Sequence, residues 1–235
     1  MSKFVHEKIV IGLDVSTFEE VEAILSLCRN ALWFKVGSQL FTKFGPSVVE
    51  FIRKDGRKVF LDLKFHDIPN TVKNAVSSAV ELGVDLLTLH SLGGRKMIAQ
   101  AREVVEGTSV KILAVTVLTS HNEQELRNEI GIYESVGDAV TRLAKMAISA
   151  GAHGVVCSPQ EIRILRDNIQ GEFMIVTPGV RPAWEKEAYD QARVMTPSEA
   201  IKLGADKIVI ARPILKAKNP SEAYNKLVEE IENEL

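Results

Sequence analysis

The sequence predicts a single-domain (β/α)8 barrel, an α/β fold of eight parallel strands that each lead into a helix. Three observations carry that prediction. Short β-rich apolar runs alternate with helix-like segments from one end of the 235-residue chain to the other. Eight units of about 30 residues match the usual size of such a barrel, about 250 residues. Polar and charged residues recur at the carboxyl ends of the runs, where barrels carry their chemistry. The competing open, doubly wound sheet normally has fewer strands. No Gly-x-Gly-x-x-Gly follows the first run, and no Gly-x4-Gly-Lys-Ser/Thr loop occurs. No linker or low-complexity stretch divides the chain, so residues 1–235 read as one barrel domain.

The expected strands are 8–15, 32–37, 58–65, 86–91, 111–118, 154–158, 173–179 and 207–212. The expected helices are 18–29, 46–54, 72–82, 95–106, 137–150, 160–168, 197–203 and 221–234. The first strand ends at Asp14, and Thr17 stands before Phe18 as an N-cap. The second carries Lys35. The third is rich in β-favouring Val59, Phe60, Leu61, Leu63 and Phe65. After it, Pro69 restricts Ile68, and Asn70 or Thr71 is expected to cap the helix beginning at Val72. The fourth strand ends in His90-Ser91 and the fifth leads to Thr119-Ser120. Ser158-Pro159 opens the helix after the sixth. The seventh runs into Thr177-Pro-Gly-Val-Arg181 and the eighth ends in Ala211-Arg212. Gly83, Gly151 and Gly204 fall where a helix gives way to the next strand, the place of a C-terminal glycine. Residues 119–133 and 180–195 are long for loops between a strand and its helix, a mark of function or disorder.

Composition narrows the partners. At 46% apolar and 26% charged the chain is an ordinary soluble protein. A formal charge of −2 with no long basic run provides no field for nucleic acid. Cys28 and Cys157 lie far apart in apolar contexts, which argues against a disulfide framework or metal site and for a reducing compartment. Residues 1–8 lack the apolar core of a signal peptide, and no apolar run approaches the ~20 residues of a membrane helix. A cytoplasmic protein with no membrane partner is expected.

The third strand is the centre of the chemistry. With a side-chain period of two, Phe60, Asp62 and Lys64 share one face, and Asp67 sits in the turn that follows. An unpaired charge at the end of a buried strand is costly. A lone pair there is readily structural, whereas the three charges of Asp62-x-Lys64-x-x-Asp67 point to an active site. Asp14, Lys35, Asp62 and Lys64 can form an array of alternating sign, which keeps each lysine protonated and each aspartate ionised under partial burial. A protonated lysine is then a proton donor, and the carboxylate beside it repels another anion. That suits a reaction in which a carboxylate leaves and a proton replaces it. A Schiff base needs a neutral amine and suits the array poorly.

The last two strand ends read as an anion site, as loops there often bind phosphate in barrels. Arg212 supplies a forked cation, the amides of Ala211 and Arg212 can point inward, and Arg181 and Gln191 lie on the neighbouring loop. Arg212 alone is as well explained by a surface salt bridge; the three together favour phosphate. His90 reads as hydrogen-bonded support, and His66 as structural or interfacial because alternation turns it from Lys64. His121 and His153 form no metal spacing with nearby Asp, Glu or Cys.

The stretch Asp62-Leu-Lys-Phe-His-Asp-Ile-Pro-Asn-Thr71 closely resembles the signature of the orotidine 5′-phosphate decarboxylase family in its bacterial form. The likeness extends through Leu13-Asp14, Phe34-Lys35-Val36-Gly37, His90-x-x-Gly-Gly94 and Val117-Leu118-Thr119-Ser120. It continues in Thr177-Pro-Gly-Val-Arg-Pro182, Asp190-Gln191-x-Arg193-Val194 and Ile210-Ala211-Arg212-Pro213-Ile214. The resemblance implies decarboxylation of orotidine 5′-monophosphate to UMP, the last step of de novo UMP synthesis, with no metal and no other cofactor. By it, Lys64 protonates C6 of the pyrimidine and Asp62 crowds the substrate carboxylate. Lys35 and Asp14 meet the ribose hydroxyls, and Thr119 and Ser120 the pyrimidine edge. Arg181, Gln191, Ala211 and Arg212 hold the 5′-phosphate. It also implies a homodimer in which Asp67 and Thr71 reach into the partner's site, and lids formed by the loops after strands five and seven. The family usually has glycine where Ala211 stands, and a methyl there is harmless only at negative φ. Related barrels acting on 3-keto-gulonate or hexulose phosphates share Asp-x-Lys-x-x-Asp but resemble one another in using Mg2+, held partly by a glutamate on strand two. Here that position is Lys35, which would repel the metal. A non-catalytic nucleotide-binding barrel is the other alternative, and it has no use for so costly a charge array.

Overall fold

Eight apolar runs pair in parallel, each with the next in sequence, and the eighth closes on the first. The computed structural model describes residues 3–188 and 195–235, with backbone alone for 186–188. In chain order the first half runs α1 (Lys3–Lys8), β1 (Ile9–Gly12), α2 (Phe18–Leu27), β2 (Trp33–Gly37), α3 (Ser38–Phe44), α4 (Pro46–Lys54), β3 (Lys58–Phe65), α5 (Pro69–Glu81), β4 (Leu86–His90) and α6 (Gly94–Val105). The second half runs β5 (Lys111–Val115), α7 (Glu123–Glu125), α8 (Val136–Ser149), β6 (Gly154–Val156), α9 (Ile162–Asn168), β7 (Met174–Pro178), α10 (Pro197–Lys202), β8 (Lys207–Ile210), α11 (Arg212–Leu215) and α12 (Pro220–Glu234). No helix among the described residues is long and apolar enough to cross a membrane.

Strand alternation builds the barrel in layers. Val10, Trp33, Phe60, Leu86, Leu113, Val176 and Val209 form one buried cluster inside the ring. The larger core packs the outward-facing residues against the helices. Two residues further along the same strands come Gly12, Lys35, Asp62, Thr88, Val115, Pro178 and Ala211. The barrel's own period thus places Lys35, Asp62 and Thr88, side by side on β2, β3 and β4, directly above an apolar floor. Below that floor, Lys207 Nζ lies 3.8 Å over the Trp33 ring, and burial lowers its pKa to about 8.

The three glycine triplets do more than end helices. Gly83, Gly151 and Gly204 are left-handed, with φ of 71°, 99° and 109°. The third residue of each triplet then caps the neighbouring strand. Asp85 accepts from the Val59 amide at 2.8 Å, His153 Nδ1 from Ile112 at 3.0 Å, and Asp206 from Ile175 at 2.7 Å.

Several expected boundaries move. Most strands are shorter than their apolar runs, because residues such as Leu13 and Val117 stay buried while leaving the ladder. The helix after β3 begins at Pro69 rather than Val72, so Asn70 and Thr71 lie in its first turn and cap nothing. Ile68 takes the N-cap position in extended backbone (ψ 149°), as a residue before proline does. Helices α1, α3, α7 and α11 lie outside the expected set; α3 lacks a side-chain cap, follows Gly37 at its N-cap and stops at Gly45, whose φ is 57°. The loop after β5 is ordered by a capping box from Asn122 to Glu125.

Candidate active site

The site grows from an irregularity in β3. Leu61 pairs with Leu87 and Phe65 with Leu89, so residues 62–64 stand opposite Thr88 alone. Two extra residues on one strand make a bulge, and bulges re-aim side chains. Lys64 adopts φ 50°, the one left-handed non-glycine among the described residues. That conformation costs an ordinary residue roughly 1–2 kcal/mol, so its surroundings must impose it. Simple alternation, expected to put Lys64 beside Asp62, therefore fails before it reaches Lys64. The left-handed turn restores the contact by another route.

The charges alternate along a continuous path. Lys64 Nζ donates to Asp62 Oδ1 at 2.9 Å, and Lys35 Nζ lies 3.6 Å from Asp62 Oδ2. Lys35 also donates to Asp14 Oδ1 at 3.4 Å. Asp62 and Lys35 are each only 13% exposed, whereas Asp14 is 56% exposed at the mouth. Each buried charge has an opposite neighbour, which is what makes its burial tolerable. A side chain at Gly37 would crowd this arrangement, since its Cβ would stand 3.2 Å from Lys35 Nζ.

A cavity of about 350 Å3 opens above the array. The loop after β1 contributes Asp14, and β2 and β3 contribute Lys35, Asp62 and Lys64; β5, β6 and the loop after β5 supply Val115, Val117, Leu118, Thr119 and Val156. From β7 and β8 come Pro178, Gly179, Arg181, Val209, Ala211 and Arg212. The lining is thus charged in alternation at β1–β3, apolar at β5 and β6, and cationic after β7 and β8, which adjoins β1. Ala211 has φ −123°, so its methyl needs no left-handed backbone.

Not every expected residue enters this cavity. Asp67, Thr71 and Ser120 are exposed and line none of it within a single chain. Asp67 accepts from the neighbouring Ile68 amide at 2.6 Å, beside an Ile68 side chain that is 67% exposed. Gln191, with Asp190 and Arg193, lies outside the described residues. His90 Nδ1 accepts from the Leu92 amide, and its ring stacks on His66 at 5.5 Å. Burial, then the nearby His66, Lys64 and His121, lowers the His90 pKa to about 4, which leaves it neutral at pH 7. Sequence reasoning missed Thr88, whose hydroxyl touches both Asp62 and Lys64. The signal was present: alternation from inward-facing Leu86 marks Thr88 as the one polar residue of Leu86-Leu-Thr-Leu89.

Fold and site define a closed (β/α)8 barrel with an ion array at the carboxyl ends of β1–β3 and cations at those of β7 and β8. Residues 7–227 match the model of the orotidine 5′-phosphate decarboxylase / HUMPS family, and the chain belongs to that family. It is 50% identical over 230 residues to the orotidine 5′-phosphate decarboxylase of Geotalea daltonii, covering 95% of each chain. To that of Gloeothece citriformis it is 46% identical over 229 residues, 97% of this chain and 98% of the relative. The crystal structure of orotidine 5′-phosphate decarboxylase from Lactobacillus acidophilus superposes with a TM-score of 0.85 at 39% identity, covering 96% of this chain and 99% of that one.

Proposed function

We propose that this chain converts orotidine 5′-monophosphate to UMP and CO2 in de novo pyrimidine synthesis, in the cytoplasm, with neither a metal nor an organic cofactor. The observation that carries the reading is the array Asp14–Lys35–Asp62–Lys64, with successive separations of 3.4, 3.6 and 2.9 Å. The names of the relatives support the same reaction.

In this reading the bond from C6 to the substrate carboxylate breaks, its electron pair stays on C6, and CO2 departs. Lys64 delivers a proton to C6 and later recovers one from solvent, so one proton is consumed for each CO2 released. Asp62 repels the substrate carboxylate, and that repulsion disappears as neutral CO2 forms. It therefore raises the ground state more than the transition state. The fixed ammonium of Lys64 stabilises the negative charge developing at C6. Lys35 and Asp14 hold the ribose hydroxyls, and Thr119 and Ser120 the pyrimidine edge. Arg181, Gln191, Arg212 and the Ala211 amide hold the 5′-phosphate, whose remote binding energy offsets the cost of forcing two carboxylates together. The loops after β5 and β7 close over the substrate and exclude water. The protein works as a homodimer, with Asp67 and Thr71 serving the partner's site; exposed Asp67 and Ile68 at the rim are the support for this.

The family description also covers HUMPS relatives, which makes a Mg2+-dependent sugar-phosphate enzyme the second reading. Lys35 stands against it. Asp62 is already flanked by two ammonium groups, and a divalent cation between them would be repelled. The test is the ultraviolet absorbance of orotidine 5′-monophosphate with purified protein and excess EDTA. Conversion to the UMP spectrum is expected; an unchanged orotidine 5′-monophosphate spectrum, with turnover of a 3-keto-gulonate or hexulose phosphate that appears only when Mg2+ is restored, would favour the second reading.

A further inference from the structure

Buried hydroxyls recur at the strand ends of the barrel. Ser91 donates to Val115 O at 2.6 Å, Thr116 to Val156 O at 3.0 Å, and Thr177 to Cys157 O at 2.9 Å. Each of these ties one strand end to a neighbouring backbone carbonyl. Thr88 is as deeply buried, at 0% exposure, but its partners are different. Its Oγ1 accepts from the Lys64 backbone amide at 2.9 Å and donates to Asp62 Oδ1 at 3.0 Å.

The polarity of these two bonds is forced. A backbone amide can only donate and a carboxylate only accept, so the single hydroxyl proton must point at Asp62. Thr88 is also the lone residue of β4 facing the three bulged residues of β3. The Lys64 amide, pushed out of register by the bulge, finds in this hydroxyl the partner that a regular strand would supply. One oxygen atom therefore fixes both the left-handed backbone of Lys64 and the rotamer of Asp62.

We propose that Thr88 is the positioning residue of the reaction, setting the contact between Asp62 and Lys64 without touching the substrate. The inference rests on the decarboxylase reading for its kinetic consequence, though not for its geometric one. Thr88 is absent from the lining of the cavity, so its loss leaves ligand binding alone. What it governs is the approach of an ammonium group to the reacting carbon. Rate is sensitive to such misplacement, since about an ångström of misplacement can cost about a hundredfold.

The test compares Thr88→Val, which keeps the shape and loses the hydroxyl, with Thr88→Ser, which keeps the hydroxyl and loses a methyl. Thr88→Val should lower kcat ten- to a hundredfold, about 1.4–2.7 kcal/mol of activation free energy. KM for orotidine 5′-monophosphate and Kd for UMP should stay within about threefold, and Thr88→Ser should keep kcat within about threefold of wild type. The proposal is overturned if Thr88→Val keeps full kcat, if Thr88→Ser falls as far, or if the loss lies in KM and UMP affinity. Should Thr88→Val not fold, the ratio of Thr88→Ser to Thr88→Ala isolates the same hydroxyl. A crystal structure of Thr88→Val or Thr88→Ala decides the geometry independently of turnover. The separation of Lys64 Nζ and Asp62 Oδ1 should exceed hydrogen-bonding distance, and a contact kept at 2.9 Å refutes the proposal. A wild-type protein that does not decarboxylate would overturn the functional reading alone, with the crystal comparison still deciding the role of Thr88.

Discussion

Gly12 and Ala211 face each other across the β1–β8 seam so closely that a methyl group on each would crowd the other. A Cβ at Gly12 would stand 3.2 Å from the Ala211 Cβ and 3.4 Å from Lys35 Cε. The smallest residue on β1 thus accommodates the alanine after β8 and leaves Lys35 undisturbed. Gly12→Ala should destabilise the protein by roughly 1–2 kcal/mol through overpacking. In an Ala211→Gly background most of that loss should vanish. A double-mutant cycle by urea denaturation measures the coupling. Equal losses in both backgrounds would show that the two positions do not compete for space.

Arg212 lines the cavity from the end of β8 and has no bond to the Asp62–Lys64 pair. Its replacement should therefore separate binding from chemistry. Arg212→Ala should raise KM for orotidine 5′-monophosphate by ten- to a hundredfold, the scale of a hydrogen bond to a charged group, ~1.5–3 kcal/mol. Slow turnover of unphosphorylated orotidine should be unchanged. Steady-state kinetics on the two substrates checks this, and an equal loss on both would remove Arg212 from the phosphate site.

Three histidines make the fold sensitive to acid. Burial lowers the pKa of His90 from 6.5 to about 4, and burial is also the first cause of the lowering at His153 and His6. Between those two values the unfolded chain binds a proton at His90 that the folded chain refuses. The unfolded state then holds more protons, so stability falls as pH drops from about 6.5 toward about 4. His153 sharpens the effect, because its Nδ1 accepts the Ile112 amide and a proton there would break the bond. Melting temperature should decline across this window, and less steeply for His90→Gln than for wild type. Parallel curves would contradict the assignment to His90.

Much of the fold is legible in the sequence. The positions of the eight strands follow from apolar runs and the glycines between them, and period two from Val10, Trp33, Phe60 and Val209 lands on Gly12, Lys35, Asp62 and Ala211. The bulge was not legible, because Lys64 carries no local signal for a left-handed backbone; glycine or asparagine would have given one. The turn exists because Thr88 on another strand satisfies it, and pairing across strands leaves little trace in a single sequence. Helix α3 escaped for a similar reason: its ends are set by two glycines and by packing, with no side-chain cap to announce it. Asp67 is legible from its spacing and Thr71 only through the family resemblance, which assigns both to a partner's site; in the single chain both are exposed and neither lines the cavity.

In the proposed reaction Lys64, held 2.9 Å from Asp62, is the proton donor to C6. The most direct measurement is the turnover of orotidine 5′-monophosphate by Lys64→Ala, followed by ultraviolet absorbance, beside calorimetric titration of the same protein with UMP. A general acid contributes about 10²–10⁴ in rate. Lys64→Ala should lose kcat by at least that factor, with UMP affinity within about threefold of wild type. Turnover that persists, or UMP binding that collapses in parallel, would contradict that role.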